Sequence, residues 1–172
     1  MSEATTLTPA RGYHHSGVGH CNAAEIVHDY LQKNGTARTD STWISLQRII
    51  GFAAENTLKA YLAVSGVTRA ELSSKKYGHN LQALYDEALV RGLKQVGDRV
   101  GQPELADALR TFIELCGADY QSFNYRYIEG PELQVLTAGD ATTTPIRVLR
   151  YILDAVEIML PADQVEAVVH GA

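Results

Sequence analysis

Helical spacing of apolar residues dominates the stretch between Trp43 and Leu62. Side chains that favour burial recur there at steps of three and four residues, which is the period of one face of an α-helix. A second row lies beside the first and widens the stripe, so we expect this helix to be buried against more than one neighbour. The first row is Trp43, Leu46, Ile50, Ala53, Thr57 and Tyr61, and the second is Ile49, Ala54, Leu58 and Leu62.

The same period recurs along the rest of the chain, and no segment alternates as a convincing strand. With 172 residues, 45% hydrophobic and 20% charged, the chain has the composition of one folded domain. The predicted fold class is therefore all-α, an antiparallel (up-and-down) bundle of four to five helices. The predicted helices cover about residues 22–33, 41–65, 80–93, 103–125 and 145–160.

The predicted domain organisation has three parts. Residues 1–18 contain Thr, Pro, Gly and His and are expected to form a flexible N-terminal arm. Residues 19–162 form the helical domain, and residues 163–172 form a C-terminal tail. The predicted core contains Trp43, Ile50, Leu58, Leu84, Phe112, Leu149, Leu153 and Val156.

Charge and hydropathy narrow the function classes. The formal net charge is −5, so any nucleic-acid contact must depend on a local basic patch rather than on a broad basic surface. No apolar run approaches the roughly 20 residues that span a bilayer. The N-terminus lacks the apolar segment of a signal peptide, so no membrane association and a cytoplasmic location are expected.

Motifs for metal, cofactor or nucleophilic chemistry are weak or missing. The segment HHSGVGHC, together with His28, contains zinc-ligand types, but the spacing matches no fixed zinc frame and a solvated arm is the favoured interpretation. There is no P-loop and no Gly-x-Ser-x-Gly elbow. We therefore predict neither a metal nor a cofactor, and we interpret Cys116, on the apolar face of its helix, as a small buried residue.

Two charged features need a partner or a purpose. Glu55 and Lys59 lie four residues apart beside the apolar stripe, and a buried carboxylate requires a partner. Arg126 is a candidate partner for Glu55, while His79 can either cap the third predicted helix or pack back on the second. Arg126 also belongs to an aromatic-basic stretch, residues 120–127, that can stack on bases and bind phosphate. The alternative for all of these residues is a packing role between helices.

The order of these motifs resembles the HEPN family, named for higher eukaryote and prokaryote nucleotide-binding domains. A long helix carries Ala-Ala-Glu-x-x-x-Lys-Ala at residues 53–60, Gly-His-Asn-Leu follows at 78–81, and Arg-Tyr follows at 126–127 before a closing helix. The resemblance covers roughly residues 20–162. It implies an antiparallel helical bundle that forms a homodimer. Many members are metal-independent ribonucleases in which an Arg is followed by a His four to six residues later.

The sequence departs from that ribonuclease pattern, because no His follows Arg126 at the family's spacing. The resemblance then implies a non-catalytic HEPN-like domain that dimerises and binds a nucleotide, RNA or a protein partner. Some similar members pair with a minimal nucleotidyltransferase in a toxin–antitoxin-like arrangement. The alternatives are a ribonuclease that uses Arg126 and an unrelated structural helical bundle. No catalytic residue is predicted, and the predicted ligand-binding residues are Glu55, Lys59, His79, Arg126 and Tyr127.

Overall fold

The computed structural model describes residues 7–34, 41–121 and 139–161. These residues form seven α-helices and include no strand, which confirms the prediction of an all-α protein. The helices are α1 (Pro9–Asn34), α2 (Thr42–Val64), α3 (Arg69–Leu72), α4 (Leu81–Val90), α5 (Leu93–Arg99), α6 (Leu105–Gln121) and α7 (Gly139–Met159).

The predicted arm is wrong over residues 9–18, because α1 already begins at Pro9. The cause is a face of small residues, which carries little hydrophobic signal but packs closely. A Cβ atom on Gly17 would lie 3.0 Å from Leu153 Cδ2 and 3.1 Å from Thr57 Oγ1. Glycine therefore lets α1 approach α2 and α7, and this packing holds a segment of modest helix propensity in a helix.

Helix α2 is the centre of the fold, as its wide stripe predicts. From Ala53 to Leu62 every residue except Asn56 is buried. The helix contacts α1, α4, α6 and α7, which confirms burial against more than one neighbour.

The predicted core is confirmed. All eight predicted side chains are buried, from Trp43 in α2 to Val156 in α7. Cys116 is also buried, as predicted, and its Sγ accepts a hydrogen bond from Gln47 Nε2 at 3.7 Å.

Two short helices shape the middle of the chain. The Thr-x-x-Glu pattern at Thr68 and Glu71 predicts a capping box, and this capping box is present at the start of α3. The sequence predicts a connection between helices over residues 94–101. This prediction is wrong for most of the segment, because α5 covers residues 93–99. Gly92, with φ of +94°, starts this helix in a left-handed conformation that glycine adopts without strain. The buried side chains of Leu93 and Val96 then hold α5 in place.

The last helix begins earlier than predicted. The sequence predicts a loop over residues 128–144 from their Gly, Pro and Thr content, but residues 139–144 belong to α7, and Pro145 lies inside this helix. Pro145 is the seventh residue of this helix, so it removes one backbone hydrogen bond and its ring crowds the carbonyl four residues earlier. Residues 122–138, with Arg126 and Tyr127, and the predicted tail at 163–172 lie outside the described residues.

Helices α1 and α7 run in opposite directions. Arg11, near the start of α1, pairs with Glu157 near the end of α7 at 3.7 Å, and Arg150 pairs with Glu25 further along α1 at 2.8 Å. The His14 ring also lies 3.2 Å from the Leu153 carbonyl oxygen. These contacts fix the start of α1 beside the end of α7. Within the described residues, no helix combines the length and the apolarity required to span a membrane.

Candidate functional site

A buried carboxylate, Glu55 on α2, is the centre of the candidate site. Its side chain is only 8% exposed. Lys59 Nζ donates to Oε1 at 2.7 Å, while Tyr120 Oη and His79 Nδ1 donate to Oε2 at 2.6 and 2.9 Å. Three of the predicted site residues, Glu55, Lys59 and His79, therefore lie together, and Tyr120 on α6 is the third donor to the carboxylate.

These donors explain how the charge is tolerated away from water. An unpaired buried carboxylate is costly, whereas one that accepts several hydrogen bonds is stabilised in its ionised form. Burial alone would raise the pKa of Glu55, but the hydrogen bonds from Lys59, Tyr120 and His79 outweigh it and hold this pKa below its ordinary value of 4.5. Glu55 is therefore ionised at neutral pH. The ion pair that i, i+4 spacing predicts is present, and it is buried rather than on the surface.

The Lys59 ammonium is held from two sides. Beside its bond to Glu55, it lies 5.9 Å from the centroid of the Tyr13 ring on α1, a cation–π distance. Lys59 itself is buried. The ammonium thus links the start of α1 to the centre of the site.

His79 reaches the site from the turn before α4. Asn80, not His79, caps this helix, since Asn80 Oδ1 accepts from the Ala83 N–H at 3.0 Å. His79 instead packs back on α2, which was the second of its two predicted roles. Because a carboxylate only accepts, the shared proton lies on His79 Nδ1, and any second partner of this ring must use Nε2. The side chain remains 42% exposed, so the site reaches the surface here.

Tyr120 is the site residue that the predicted set missed. Its ring lies edge-on to Phe52 at 5.5 Å and to His79 at 6.4 Å, and His20 stacks on Phe52 at 5.5 Å. The sequence held a signal, because Tyr120 opens the aromatic-basic stretch. Gly51, one turn before Glu55, makes room for it: a Cβ on Gly51 would lie 2.6 Å from Tyr120 Cε2, a distance at which the ring would have to move.

Arg126 and Tyr127 lie outside the described residues. Of the five predicted ligand-binding residues, the structure therefore describes three, Glu55, Lys59 and His79, and these three lie together. The three observed donors to Glu55 fill the role that the sequence prediction gave to Arg126.

Metal and nucleophile chemistry find little support in the described residues. No group of three or more His, Cys, Asp or Glu side chains within them has a metal-binding arrangement. Burial raises the pKa of the Cys21 thiol to about 11, against a smaller opposing effect of Arg150. This thiol therefore stays protonated at neutral pH and is a poor nucleophile.

The site combines the buried Glu55–Lys59 ion pair with the half-exposed imidazole of His79. The aromatic rings of Phe52 and Tyr120 lie beside them. Glu55 and Lys59 cancel in charge, and the His79 ring is the part of this cluster that reaches the surface. An imidazole can donate to an anion, and aromatic rings offer stacking faces. No family model, curated protein or solved structure matches the chain, so the HEPN resemblance rests on the sequence motifs alone.

Proposed function

We propose that this protein is a non-catalytic HEPN-like domain, an antiparallel helical bundle that dimerises and binds a phosphate-bearing nucleotide or RNA at the surface formed by His79. The observation that supports the proposal is the convergence of Lys59 and His79 on the buried carboxylate of Glu55. A protein partner such as a minimal nucleotidyltransferase would use the same surface.

Each residue has a separate role in this proposal. Glu55 positions Lys59 and His79, and the half-exposed His79 ring meets the phosphate. Arg126 supplies a guanidinium that stays charged at any physiological pH, and Tyr127 supplies a stacking face. Local charge at contact distance then outweighs the acidic net charge of the protein.

We expect His79→Ala to weaken binding of a fluorescent 5′-phosphorylated RNA oligonucleotide about tenfold, because a hydrogen bond to a charged group is worth about that factor. Fluorescence polarisation at fixed salt measures this affinity. The matched control is His15→Ala, since His15 is exposed on α1, and its affinity should equal that of wild type. A wild type that does not bind, or equal affinity in both variants, would contradict the proposal.

The same oligonucleotide tests the ribonuclease alternative. We expect no efficient cleavage by wild type, because the histidine at this site precedes Arg126 and comes from another turn. The measurement is the release of labelled fragments by wild type and by Arg126→Ala. Cleavage by wild type that disappears in Arg126→Ala would show a ribonuclease.

Dimerisation is expected to use the outer face of α1. Ile26 is 71% exposed there, and Tyr30, one turn later, is exposed as well. We expect wild type to sediment as a dimer at tens of micromolar and Ile26→Lys to shift it to monomer. Val90→Lys is the control, because Val90 is 81% exposed on α4 and should leave the dimer intact. A monomeric wild type would remove dimerisation from the proposal.

A further inference from the structure

A surface cleft of about 310 Å³ lies beside the first turns of α1. This volume is at the lower end of the range for small-molecule clefts, roughly 300–1,000 Å³. Gly12 contributes to the space, because a Cβ there would meet no atom within 4 Å. The lining residues are Leu7, Thr8, Pro9, Gly12, Tyr13 and Arg69.

Arg69 gives the cleft a positive charge that no described carboxylate neutralises. The side chain is exposed on α3. Its neighbour Glu71 is engaged elsewhere: Oε2 accepts from the Thr68 N–H at 2.9 Å and from the Thr68 hydroxyl at 2.7 Å. A guanidinium matches the geometry of a phosphate better than other cations, because it presents parallel N–H donors.

Tyr13 gives the cleft an aromatic surface, and a cation–π contact from α2 restrains its ring on one side. The Lys59 ammonium lies 5.9 Å from its ring centroid, and Lys59 is itself fixed by Glu55 at 2.7 Å. An aromatic ring whose orientation is set before binding loses little entropy when a flat group stacks on it. Leu7 and Pro9 add apolar surface to the same cleft.

We infer that this cleft binds a flat aromatic ring that carries a phosphate, with the ring packed on Tyr13 and the phosphate on Arg69. A mononucleotide has this chemistry and this size. Lys59, which contacts Tyr13, also belongs to the Glu55 cluster, but neither Glu55 nor His79 lines the cleft. The inference therefore goes beyond the proposed function and does not depend on it.

Calorimetry with AMP, and with adenosine as the phosphate-free probe, tests the inference. We expect AMP to bind wild type about tenfold more tightly than adenosine does, and Arg69→Gln to lose that advantage while its adenosine affinity is unchanged. Tyr13→Leu should weaken both ligands, and Tyr13→Phe, which keeps the ring, should bind as wild type. The matched control is Arg99→Gln on α5, where the arginine is also exposed, and it should not change either affinity.

His79→Ala separates this site from the proposed one. We expect it to bind AMP as wild type does. If His79→Ala loses AMP while Arg69→Gln retains it, the nucleotide binds at the His79 surface, which overturns the cleft and supports the proposed function. If wild type binds no AMP, the cleft is overturned, and the RNA measurement still decides the proposed function by itself.

Discussion

Glu55→Ala is expected to lower the free energy of unfolding by about 3–5 kcal/mol, the range for removing one partner of a buried ion pair. The variant would leave the buried Lys59 ammonium without its carboxylate, and it would remove the acceptor of Tyr120 and His79. Desolvation of the remaining charge, rather than the lost attraction, dominates this cost. Urea unfolding followed by circular dichroism measures it.

Two further variants test whether the unpaired Lys59 charge causes the loss of stability in Glu55→Ala. Glu114→Ala is the matched control, because Glu114 is exposed on α6 and its removal should change stability by less than about 0.5 kcal/mol. Glu55→Ala combined with Lys59→Met should be more stable than Glu55→Ala alone, since no charge is left buried. A Glu55→Ala variant as stable as Glu114→Ala would show that the cluster does not support the fold.

The same carboxylate makes stability depend on pH. The pKa of Glu55 is below its ordinary value of 4.5 in the folded protein. Its contribution is therefore fully present above that ordinary value and is lost as pH falls through the lowered pKa of the folded state. Unfolding free energies of wild type and Glu55→Gln, compared from neutral pH downward, should converge in that acid range.

The sequence predicts the centre of the fold well because burial there follows strong periodicity. In α2, large apolar side chains repeat every three or four residues, and Trp43, Ile50 and Leu58 are buried as the pattern indicates. The start of α1 does not follow from such a pattern. Its packing depends on Gly17, which lets α1 approach α2 and α7 closely because it has no side chain. A search for periodic large apolar residues cannot detect such a position.

The site was predictable in its parts and not in its geometry. The spacing of Glu55 and Lys59 predicts their contact, because residues four apart share a helix face. The other two donors lie 24 and 65 residues away in sequence, at His79 and Tyr120. His79 and Tyr120 reach the same oxygen of Glu55 only because the turn before α4 and helix α6 both pack against α2. A local sequence pattern does not specify contacts between residues so far apart in the chain.

Leu58→Ala should lower the free energy of unfolding by about 2–5 kcal/mol, the range for truncating a buried leucine. Leu58 has no exposed surface, and α2 is packed by α1, α4, α6 and α7. Helices that contact α2 from several sides cannot all move inward to fill the space of a lost side chain, so a cavity should remain and the cost should fall in the upper part of this range.

Leu115→Ala on α6 provides the control for that measurement, because it removes the same atoms from an exposed leucine. Alanine favours helices as well as leucine does, so this variant should stay within about 0.5 kcal/mol of wild type. Both variants should retain a helical circular-dichroism spectrum at low urea, with only the Leu58→Ala midpoint shifted downward. Equal midpoints for the two variants would mean that Leu58 is not in a packed core, and the assignment of α2 as the centre of the fold would then be wrong.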